Sequence, residues 1–241
     1  MSEALLPVVV LAGGKATRLE PVTRTIPKAL VDVNGEPFAF HQLRGLAARG
    51  VREVLFCVGH LGEQIMEAVG DGAAFRLRVE YALDGPTLLG TGGALEHALP
   101  KLPDAFFVLY GDSYLECDFR AVQAAFRAAA KAGLMTVFGN DGRWDGSNVE
   151  FTEGRILAHD KAAPSPRMRH IDYGLGVLHR RAFALVRESA PYDLARLYQR
   201  LLALDELAAF EVVARFYEIG SLEGLEETRR HLAALREARR S

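Results

Sequence analysis

The chain has 241 residues, of which 49% are hydrophobic and 25% are charged, so its composition is that of a folded globular protein and argues against a disordered chain. A net charge of −2 argues against a protein that holds nucleic acid or a membrane surface by charge, and the apolar runs are far shorter than a membrane span. Two cysteines do not indicate a disulfide framework or a zinc site, and the first residues lack the basic start of a secretory signal, so we expect a cytoplasmic protein.

Strands and helices alternate along the first half of the chain. Apolar runs predict strands at residues 8–11, 31–33, 51–58, 77–81, 106–110 and 134–138, with a turn at Asn34-Gly35 after the second. Helix-forming segments, some followed by a glycine stop, predict helices at residues 38–48, 63–69, 92–98 and 120–132. This alternation predicts an α/β fold with a mostly parallel sheet covered by helices on both faces. Ligands of such sheets bind at the carboxyl ends of the strands.

The second half has a different pattern. Shorter runs at residues 150–151, 155–158 and 171–178 predict strands separated by turns, and hence a small antiparallel extension. Helices are predicted at residues 180–189, 194–204 and 222 to about 239, with a strand at 212–217. Because no repeat or low-complexity linker divides the chain, we expect one domain over residues 1–241. Exposed apolar residues between 194 and 207 are expected to supply the face of a homodimer.

The first predicted strand runs into a pair of glycines, Gly13 and Gly14, which are followed by Arg18 and Lys28. Glycines let main-chain N–H groups approach an anion with no side chain in the way. The two basic side chains add positive charge for the same anion. This order of residues favours a polyphosphate site at the end of the strand, although a strand followed by two glycines also occurs as an ordinary tight turn.

Two acidic residues follow apolar runs later in the chain. Asp112 comes just after the predicted strand 106–110, and Glu218 follows the predicted strand 212–217 and precedes a helix start. Carboxylate oxygens are the ligands that Mg²⁺ takes beside phosphates. The pair therefore predicts a magnesium site at the strand ends. The alternatives are a turn cap at Asp112 and a solvated strand end at Glu218.

Further candidates lie in the loops between these segments. Gly90 and Thr91 belong to a glycine-dense segment that opens a predicted helix, which favours close approach of a flat ring to the main chain. Asp84, just upstream, is able to accept hydrogen bonds from the edge of a nucleotide base. Lys161 offers a compact cation for a second phosphate, and Asp172 is able to accept hydrogen bonds from sugar hydroxyls. Taken singly, the glycine-dense segment is equally well explained as a flexible connection and Lys161 as a solvated surface lysine.

The order of these motifs resembles the sugar-1-phosphate nucleotidyltransferase family over residues 8 to about 225. The resemblance implies a Rossmann-like α/β fold, dependence on Mg²⁺, and transfer of a nucleotidyl group from a nucleoside triphosphate to a sugar 1-phosphate with release of pyrophosphate. By position it implies that Arg18, Lys28 and Asp112 form the catalytic group. It also implies a metal site formed by Asp112 and Glu218. It implies a site for the triphosphate and base at Leu11, Ala12, Gly13, Gly14, Thr17, Asp84, Gly90 and Thr91. It implies a site for the sugar phosphate at Asn148, Asp160, Lys161, Asp172 and Gly174.

Three positions depart from the pattern of that family. Ala16 stands where a third glycine is usual, Asp160 where a glutamate precedes the lysine, and Glu218 where an aspartate is usual. None of the three changes removes a charge. The longer side chain of Glu218 is expected to hold a metal farther from the main chain by the length of a methylene group.

The chemistry of the bases favours GTP as the nucleotide. One carboxylate accepts hydrogen bonds from both N1–H and N2–H₂ of guanine, whereas uracil has a single N–H on that edge, so Asp84 favours guanine. The segments around Asp172 and Glu218 resemble the branch that acts on D-glycero-D-manno-heptose 1-phosphate. One alternative is a uridylyltransferase, or an enzyme for another triphosphate, that acts on a different hexose 1-phosphate. A second is a non-catalytic regulatory protein that binds nucleotide sugars, against which the retained acidic and basic residues argue.

Overall fold

The protein is built on one large mixed sheet with helices on both faces. The structure is a computed structural model that describes residues 3–14, 19 and 22–238. Its strands are β1 Val8–Ala12, β2 Asp32–Val33, β3 Glu36–Pro37, β4 Glu53–Val58, β5 Arg78–Leu83, β6 Ala105–Tyr110, β7 Ser113–Tyr114, β8 Gly133–Gly139, β9 Val149–Thr152, β10 Arg155–His159, β11 His170–His179, β12 Leu207–Val212 and β13 Tyr217–Glu218. Its helices are α1 Phe38–Ala48, α2 Gly62–Val69, α3 Gly90–Ala98, α4 Phe119–Ala129, α5 Arg181–Leu185, α6 Leu194–Ala203 and α7 Leu222–Ala238. None of the described helices is long and apolar enough to cross a membrane.

The main sheet follows the order β5-β4-β1-β6-β11-β8-β12, and the β9–β10 hairpin joins it through the start of β11. Strands β5, β4, β1 and β6 are parallel to one another, and β8 is parallel to β12. Along this path β11 is antiparallel to both of its neighbours, β6 and β8. The predicted α/β fold, with a mostly parallel sheet and a small antiparallel extension, is therefore confirmed. The carboxyl ends of the parallel strands gather at one edge of the sheet.

Both faces of the sheet are buried. In β1, Val8 and Val10 enter one apolar cluster with α1, α2 and α4, and Val9 and Leu11 enter another with α3, α5 and α6. Successive side chains of a strand point to opposite faces, so a sheet covered on both sides requires an uninterrupted apolar run. The last helix, α7, packs on the β2–β3 and β7–β13 ribbons in a third, smaller cluster.

Most predicted elements are present with shifted ends. The turn predicted at Asn34-Gly35 joins β2 to β3, with both residues at positive φ. The strand predicted at 212–217 is wrong, because β12 ends at Val212 and the chain leaves the sheet at Val213, whose side chain is 93% exposed. The helix predicted at 180–189 is limited to the five residues of α5.

The apolar residues between 194 and 207 do not form an exposed face. Leu194, Leu197, Tyr198 and Leu201 are at most 2% exposed and pack in the cluster beneath α6. Leu204 is exposed, but one leucine does not make an interface. The predicted dimer face at this position is therefore wrong, and a homodimer formed in another way stays a prediction.

Strand β11 lies inside the main sheet, whereas the sequence pattern predicts part of an outlying extension. It has ten residues, and its pairing with β8 shifts register between Asp172 and Gly176. Gly174, in this bulge, has a φ of +93°, which a residue with a Cβ rarely adopts. Its N–H donates a hydrogen bond to Asp172 Oδ1 at 3.0 Å. The bulge thus fixes the direction of the Asp172 carboxylate.

Candidate active site

A cavity of about 310 Å³ opens at the carboxyl ends of β1 and β6. We call it the β1 cavity. Many of the predicted site residues line it, namely Leu11, Ala12, Gly13, Gly14, Lys28, Asp84, Gly90, Thr91 and Asp112. The described residues predicted for the triphosphate and base therefore lie together around one space.

A second cavity, of about 330 Å³, opens beside the bulge of β11, and we call it the β11 cavity. Its lining contains a further set of predicted residues, namely Asp112, Asn148, Lys161, Asp172, Gly174 and Glu218. Tyr110 and Asp112 line both cavities. The two cavities therefore adjoin at the end of β6.

Lys28 and Asp112 meet at the boundary of the two cavities. Lys28 Nζ donates a hydrogen bond to Asp112 Oδ2 at 2.9 Å, and about a quarter of each side chain is exposed (23% and 28%). This ion pair holds a cation beside the carboxylate in a position that a ligand can reach. Thr17 and Arg18, which the sequence also assigns to this region, lie outside the described residues, as does Ala16.

The chain around Glu218 pairs with the chain that follows Asp112. The ribbon of β7 and β13 aligns Ser113 with Glu218, and the N–H of Ile219 donates to the carbonyl oxygen of Asp112 at 3.0 Å. A Cβ on Gly220 would lie 2.6 Å from Glu218 Oε2, so the glycine makes room for that carboxylate. Both acidic residues thus border the β11 cavity from neighbouring segments.

Asp112 and Glu218 fit a divalent cation that is held largely by its substrate. Among the described residues no group of three or more His, Cys, Asp or Glu side chains is placed to hold a metal ion. Mg²⁺ is usually bound through one or two carboxylates, with phosphate oxygens and waters as its other ligands. Two carboxylates on one cavity provide that donor set.

Asp172 is the centre of a polar network in the β11 cavity. Its side chain is 2% exposed, accepts a hydrogen bond from the Tyr110 hydroxyl at 3.3 Å and lies 3.8 Å from Lys161 Nζ. The N–H of Asp172 donates to Asn148 Oδ1 at 3.0 Å. Burial, reinforced by the Asp172 carboxylate, raises the pKa of Tyr110 well above its ordinary value. Tyr110 therefore stays a neutral donor, and the network holds the Lys161 ammonium beside the cavity.

Asp160 does not line either cavity, although the sequence assigns it to the sugar phosphate. Its Oδ1 accepts hydrogen bonds from the N–H groups of Ala162 and Ala163 at 2.8 and 3.0 Å. These two bonds lower the pKa of the Asp160 carboxyl. The geometry gives Asp160 a part in the turn that carries Lys161, and contact with a sugar phosphate stays a prediction.

Asp84 lies against the glycines at the edge of the β1 cavity. A Cβ on Gly13 would come within 3.4 Å of Asp84 Oδ2, and one on Gly59 within 3.1 Å. The same oxygen accepts a hydrogen bond from the N–H of Leu89 at 3.3 Å. Burial raises the pKa of Asp84, and the bond from Leu89 opposes this change. The cavity therefore holds a partly desolvated acceptor beside main-chain donors.

The glycines at the start of α3 accommodate Tyr192. Gly90 has a φ of +75°, and a Cβ there would lie 2.4 Å from the carbonyl oxygen of Tyr192. A Cβ on Gly92 would lie 2.3 Å from the Tyr192 ring, and the N–H of Gly92 donates to the Tyr192 carbonyl at 2.9 Å. The sequence predicts that a ligand ring approaches the main chain at these glycines, but it does not reveal this contact with a side chain of the protein itself. Gly90 also lines the β1 cavity, and its contact with a base stays a prediction.

Thr91 joins α3 to the start of α6. Its hydroxyl donates to Asp193 Oδ1 at 3.0 Å and accepts from the N–H of Leu194 at 2.8 Å. These bonds give Thr91 a structural part at the edge of the β1 cavity. Direct contact between Thr91 and a nucleotide stays a prediction.

Tyr110 and Asp193 line the cavities but were not among the predicted site residues. Tyr110 is the last residue of β6, and its position directly before Gly111 and Asp112 was an available signal. Asp193 immediately precedes α6, a position that favours aspartate in any helix. This general preference explains an aspartate before a helix, but it gives no sign that α6 begins beside α3 and the β1 cavity.

The family model of the nucleotidyl transferases matches residues 7–144 of the chain. The chain is 36% identical over 126 residues to the N-acetylmuramate alpha-1-phosphate uridylyltransferase of Neisseria meningitidis, which is 52% of this chain and 53% of that protein. It is 30% identical over 206 residues to the mannose-1-phosphate guanylyltransferase of Mycobacterium tuberculosis, which is 84% of this chain and 57% of that protein. The chain thus matches just over half the length of each of these relatives.

The likeness extends to solved structures. The crystal structure of HddC from Yersinia pseudotuberculosis superposes with a TM-score of 0.79 at 22% identity, over 95% of this chain and all of the other. At that identity the likeness is one of fold. The family model covers more than half of the 241 residues and includes the loop after β1 and the segment around Asp112. The chain therefore belongs to the nucleotidyl transferase family.

Proposed function

We propose that the protein joins a nucleoside triphosphate to a sugar 1-phosphate, forming a nucleoside-diphosphate sugar and releasing pyrophosphate. The observation that carries the proposal is the shared boundary of the two cavities, which Tyr110 and Asp112 both line. Two adjoining cavities with a shared carboxylate suit a reaction between two separately bound ligands. Membership of the nucleotidyl transferase family supports the same reaction.

Each cavity is assigned to one substrate. The β1 cavity takes the triphosphate, with the N–H groups of Gly13 and Gly14 and the Lys28 ammonium on its phosphates, and the sequence adds Arg18 to this set. The β11 cavity takes the sugar 1-phosphate, and Lys161 contacts the phosphate. Asn148 and Asp172, which the bulge at Gly174 holds in place, lie beside the sugar hydroxyls.

The reaction needs neutralisation of charge more than proton transfer. The attacking group is an oxygen of the sugar phosphate, which is already ionised at neutral pH. It forms a bond to the α-phosphorus, while the bond from that phosphorus to the bridging oxygen breaks and its electron pair leaves with pyrophosphate. Two anions must approach each other, and Lys28 in the β1 cavity and Lys161 in the β11 cavity reduce their repulsion. Removing one such cation is expected to cost on the order of 3 kcal/mol of transition-state stabilisation, or roughly a hundredfold in rate.

Asp112 and Glu218 are the residues that would hold Mg²⁺ in this site. When bound, the ion supplies positive charge to the phosphate oxygens of the triphosphate. Asp112 also orients Lys28 through their ion pair, so the same carboxylate would serve both the metal ion and the ammonium at the boundary of the cavities.

For the nucleotide and the sugar we propose GTP and D-glycero-D-manno-heptose 1-phosphate. Asp84 supports GTP, because its carboxylate faces the cavity beside Gly13 and guanine has two adjacent donors for it. The Mycobacterium tuberculosis relative is a guanylyltransferase, whereas the Neisseria meningitidis relative is a uridylyltransferase. A uridylyltransferase that acts on another sugar phosphate is therefore the second candidate.

A pyrophosphate-release assay tests both proposals. GTP, UTP, CTP, ATP and dTTP are each combined with the 1-phosphates of mannose, glucose, N-acetylmuramate and D-glycero-D-manno-heptose in the presence of Mg²⁺. We expect turnover only when a triphosphate and a sugar phosphate are both present, and the highest kcat/KM with GTP and the heptose. Turnover with UTP instead would contradict the base assignment. Absence of turnover with every pair would contradict the reaction and favour a regulatory protein that binds nucleotide sugars.

A further inference from the structure

Four flat side chains are stacked beside the β11 cavity. The guanidinium carbon of Arg215 lies 3.5 Å from the centroid of the Trp144 ring and 4.7 Å from that of Tyr217. The Tyr217 ring stacks in turn on His231, with centroids 3.7 Å apart and an interplanar angle of 9°. Arg215 also donates a hydrogen bond to Glu227 of α7. The stack therefore joins three segments: the one before β9, the one between β12 and β13, and α7.

Between β12 and α7 the chain alternates between this stack and the cavity. Arg215 and Tyr217 belong to the stack, whereas Phe216 and Glu218 line the β11 cavity. Successive side chains of an extended chain point in opposite directions. A change in the packing of Arg215 is therefore passed directly to its neighbour in the cavity lining.

The segment before β9 has the same two-sided arrangement. Trp144 packs on Arg215, whereas residues 145–147 line the β11 cavity. Asn140, which is fully buried, donates a hydrogen bond to the carbonyl oxygen of Asp145 at 2.7 Å and so fixes the shape of the segment. The Trp144 side chain is 43% exposed, so its contact with Arg215 is not needed to build the core.

We propose that Trp144 and Arg215 are positioning residues for the sugar 1-phosphate. Their stack holds residues 145–147 and Phe216 against the β11 cavity and thereby sets the affinity for the acceptor. This inference rests on the function proposed above, because it assigns the β11 cavity to the sugar phosphate. The β1 cavity shares none of these residues, so the affinity for the nucleotide is independent of the stack.

The stack needs a planar cation and not only a charge. A guanidinium lies flat on an indole ring, whereas a lysine ammonium is a compact charge without that plane. Replacing Arg215 by lysine therefore keeps the charge beside Glu227 and removes the flat contact with Trp144. A partly exposed cation–π contact of this kind corresponds to about a fivefold change in an equilibrium constant.

The chain itself provides the probe, because Trp144 is its only tryptophan. Tryptophan emission is titrated with the sugar 1-phosphate of highest kcat/KM among the four named above, and separately with GTP. The titrations use the unmodified chain, Arg215→Lys, and Arg78→Lys as a matched control. Arg78 is an exposed arginine on the edge strand β5. It pairs with Glu80 of the same strand and with Glu53 of β4, and it lines neither cavity. Steady-state kinetics of the same proteins, and of Trp144→Phe and Trp144→Ala, give both KM values and kcat.

We expect saturable change of the emission with the sugar phosphate and none with GTP alone. In Arg215→Lys and Trp144→Ala the KM for the sugar phosphate rises about fivefold, while the KM for GTP and kcat stay within about twofold of the unmodified chain. Trp144→Phe, which keeps a ring on Arg215, and Arg78→Lys stay near the unmodified chain. Turnover with no emission change, or equal changes in both KM values, overturns the inference alone. Absence of turnover in the unmodified chain overturns the proposed function and, with it, this inference.

Discussion

Asp84 is a carboxylate that the protein keeps in a partly buried position at a cost to its stability. Burial raises its pKa, and the N–H of Leu89 only partly opposes this change. A carboxyl whose pKa is raised by folding stabilises the folded state below its unfolded pKa and loses that contribution as the pH rises through its folded pKa. Ionised Asp84 therefore weakens the fold at neutral pH. Recognition of a base is the proposed reason for its presence.

Replacing Asp84 by asparagine separates these two effects. Because an amide cannot accept both guanine donors, we expect the KM for GTP to rise roughly thirtyfold, the equivalent of ~2 kcal/mol for hydrogen bonds to a charged group. The melting temperature, relative to that of the unmodified chain, should increase as the pH is raised from the acidic range to neutrality. Thermal melts across this pH range and steady-state kinetics check both.

The matched control for Asp84→Asn is Asp104→Asn. Asp104 immediately precedes β6, at the opposite end of the strand from the cavities, and its side chain is 77% exposed. The Asp104→Asn variant should have the same KM for GTP as the unmodified chain. A KM for GTP in Asp84→Asn that equals the control value would remove Asp84 from the base site.

Residue types at the site were largely predictable, and their partners were not. Lys28, Asp112 and Lys161 were singled out together, because their order along the chain places charged residues at the edge of the sheet where ligands bind, although each alone has an ordinary structural explanation. The carboxylate of Asp160 bonds to its own turn, and the Tyr110 hydroxyl bonds to Asp172. Both contacts depend on side-chain directions that residue order does not specify.

At the scale of elements, α3 and the segment that leads into α6 fit together because side chains are absent at their contact. The ring and carbonyl group of Tyr192 occupy the space that Cβ atoms on Gly90 and Gly92 would need. The hydroxyl of Tyr192 also donates to Glu96 Oε2 at 3.0 Å, which ties the ring to α3. Gly90 also lines the β1 cavity, so this contact lies at the edge of the proposed nucleotide site.

Gly92→Ala tests this fit. The added methyl group meets the Tyr192 ring, and overpacking of this kind should cost ~2 kcal/mol and lower the melting temperature by about 5 °C. Tyr192→Leu removes the ring, so the double variant should lose less stability than the sum of the two single variants. Thermal melts of the three variants measure the coupling.

Gly139→Ala is the control for this series, because its Cβ would meet nothing closer than 3.8 Å. It should melt within about 2 °C of the unmodified chain, as surface changes usually do. Two results would contradict this explanation: a melting temperature of Gly92→Ala equal to that of the control, or losses of stability in Gly92→Ala and Tyr192→Leu that simply add. In either case, contact with Tyr192 would not be the reason that position 92 is a glycine.

The parallel half of the fold was predictable and the second half less so, for a physical reason. The parallel strands β1, β4, β5 and β6 each contain a local apolar run bounded by turns, so the pattern is complete within the segment. The run from 207 to 217 is apolar for longer than one strand, and pairing with β8 selects Leu207–Val212 from it. The position of β11 inside the sheet likewise depends on its pairing with β6 and β8.

At the scale of the whole molecule, one sheet edge carries two cavities whose linings share Tyr110 and Asp112 and otherwise differ. Lys161 belongs to the β11 cavity, whereas Lys28 belongs to the β1 cavity. Each ligand should therefore stabilise the fold without the other. A ligand at a hundred times its Kd adds about 2.7 kcal/mol, which corresponds to roughly 5–10 °C in melting temperature for a chain of this size.

Lys161→Ala separates the two contributions. The Lys161 side chain is 47% exposed, so its removal leaves the core intact. GTP with Mg²⁺ should still raise the melting temperature of this variant by the amount seen in the unmodified chain, while the shift produced by the sugar 1-phosphate should disappear. Loss of both shifts, or retention of both, would contradict the assignment of one cavity to each substrate.

The most direct test of the account is the rate of pyrophosphate release by Asp112→Asn at saturating GTP, sugar 1-phosphate and Mg²⁺. Asp112 lines both cavities and pairs with Lys28, and as a partly exposed ion pair it contributes at most about 1 kcal/mol to folding. We predict a fall in kcat of at least about a hundredfold, with circular dichroism and melting temperature close to those of the unmodified chain. A folded Asp112→Asn protein that turns over at the full rate would contradict the claim that the two substrates react at this carboxylate.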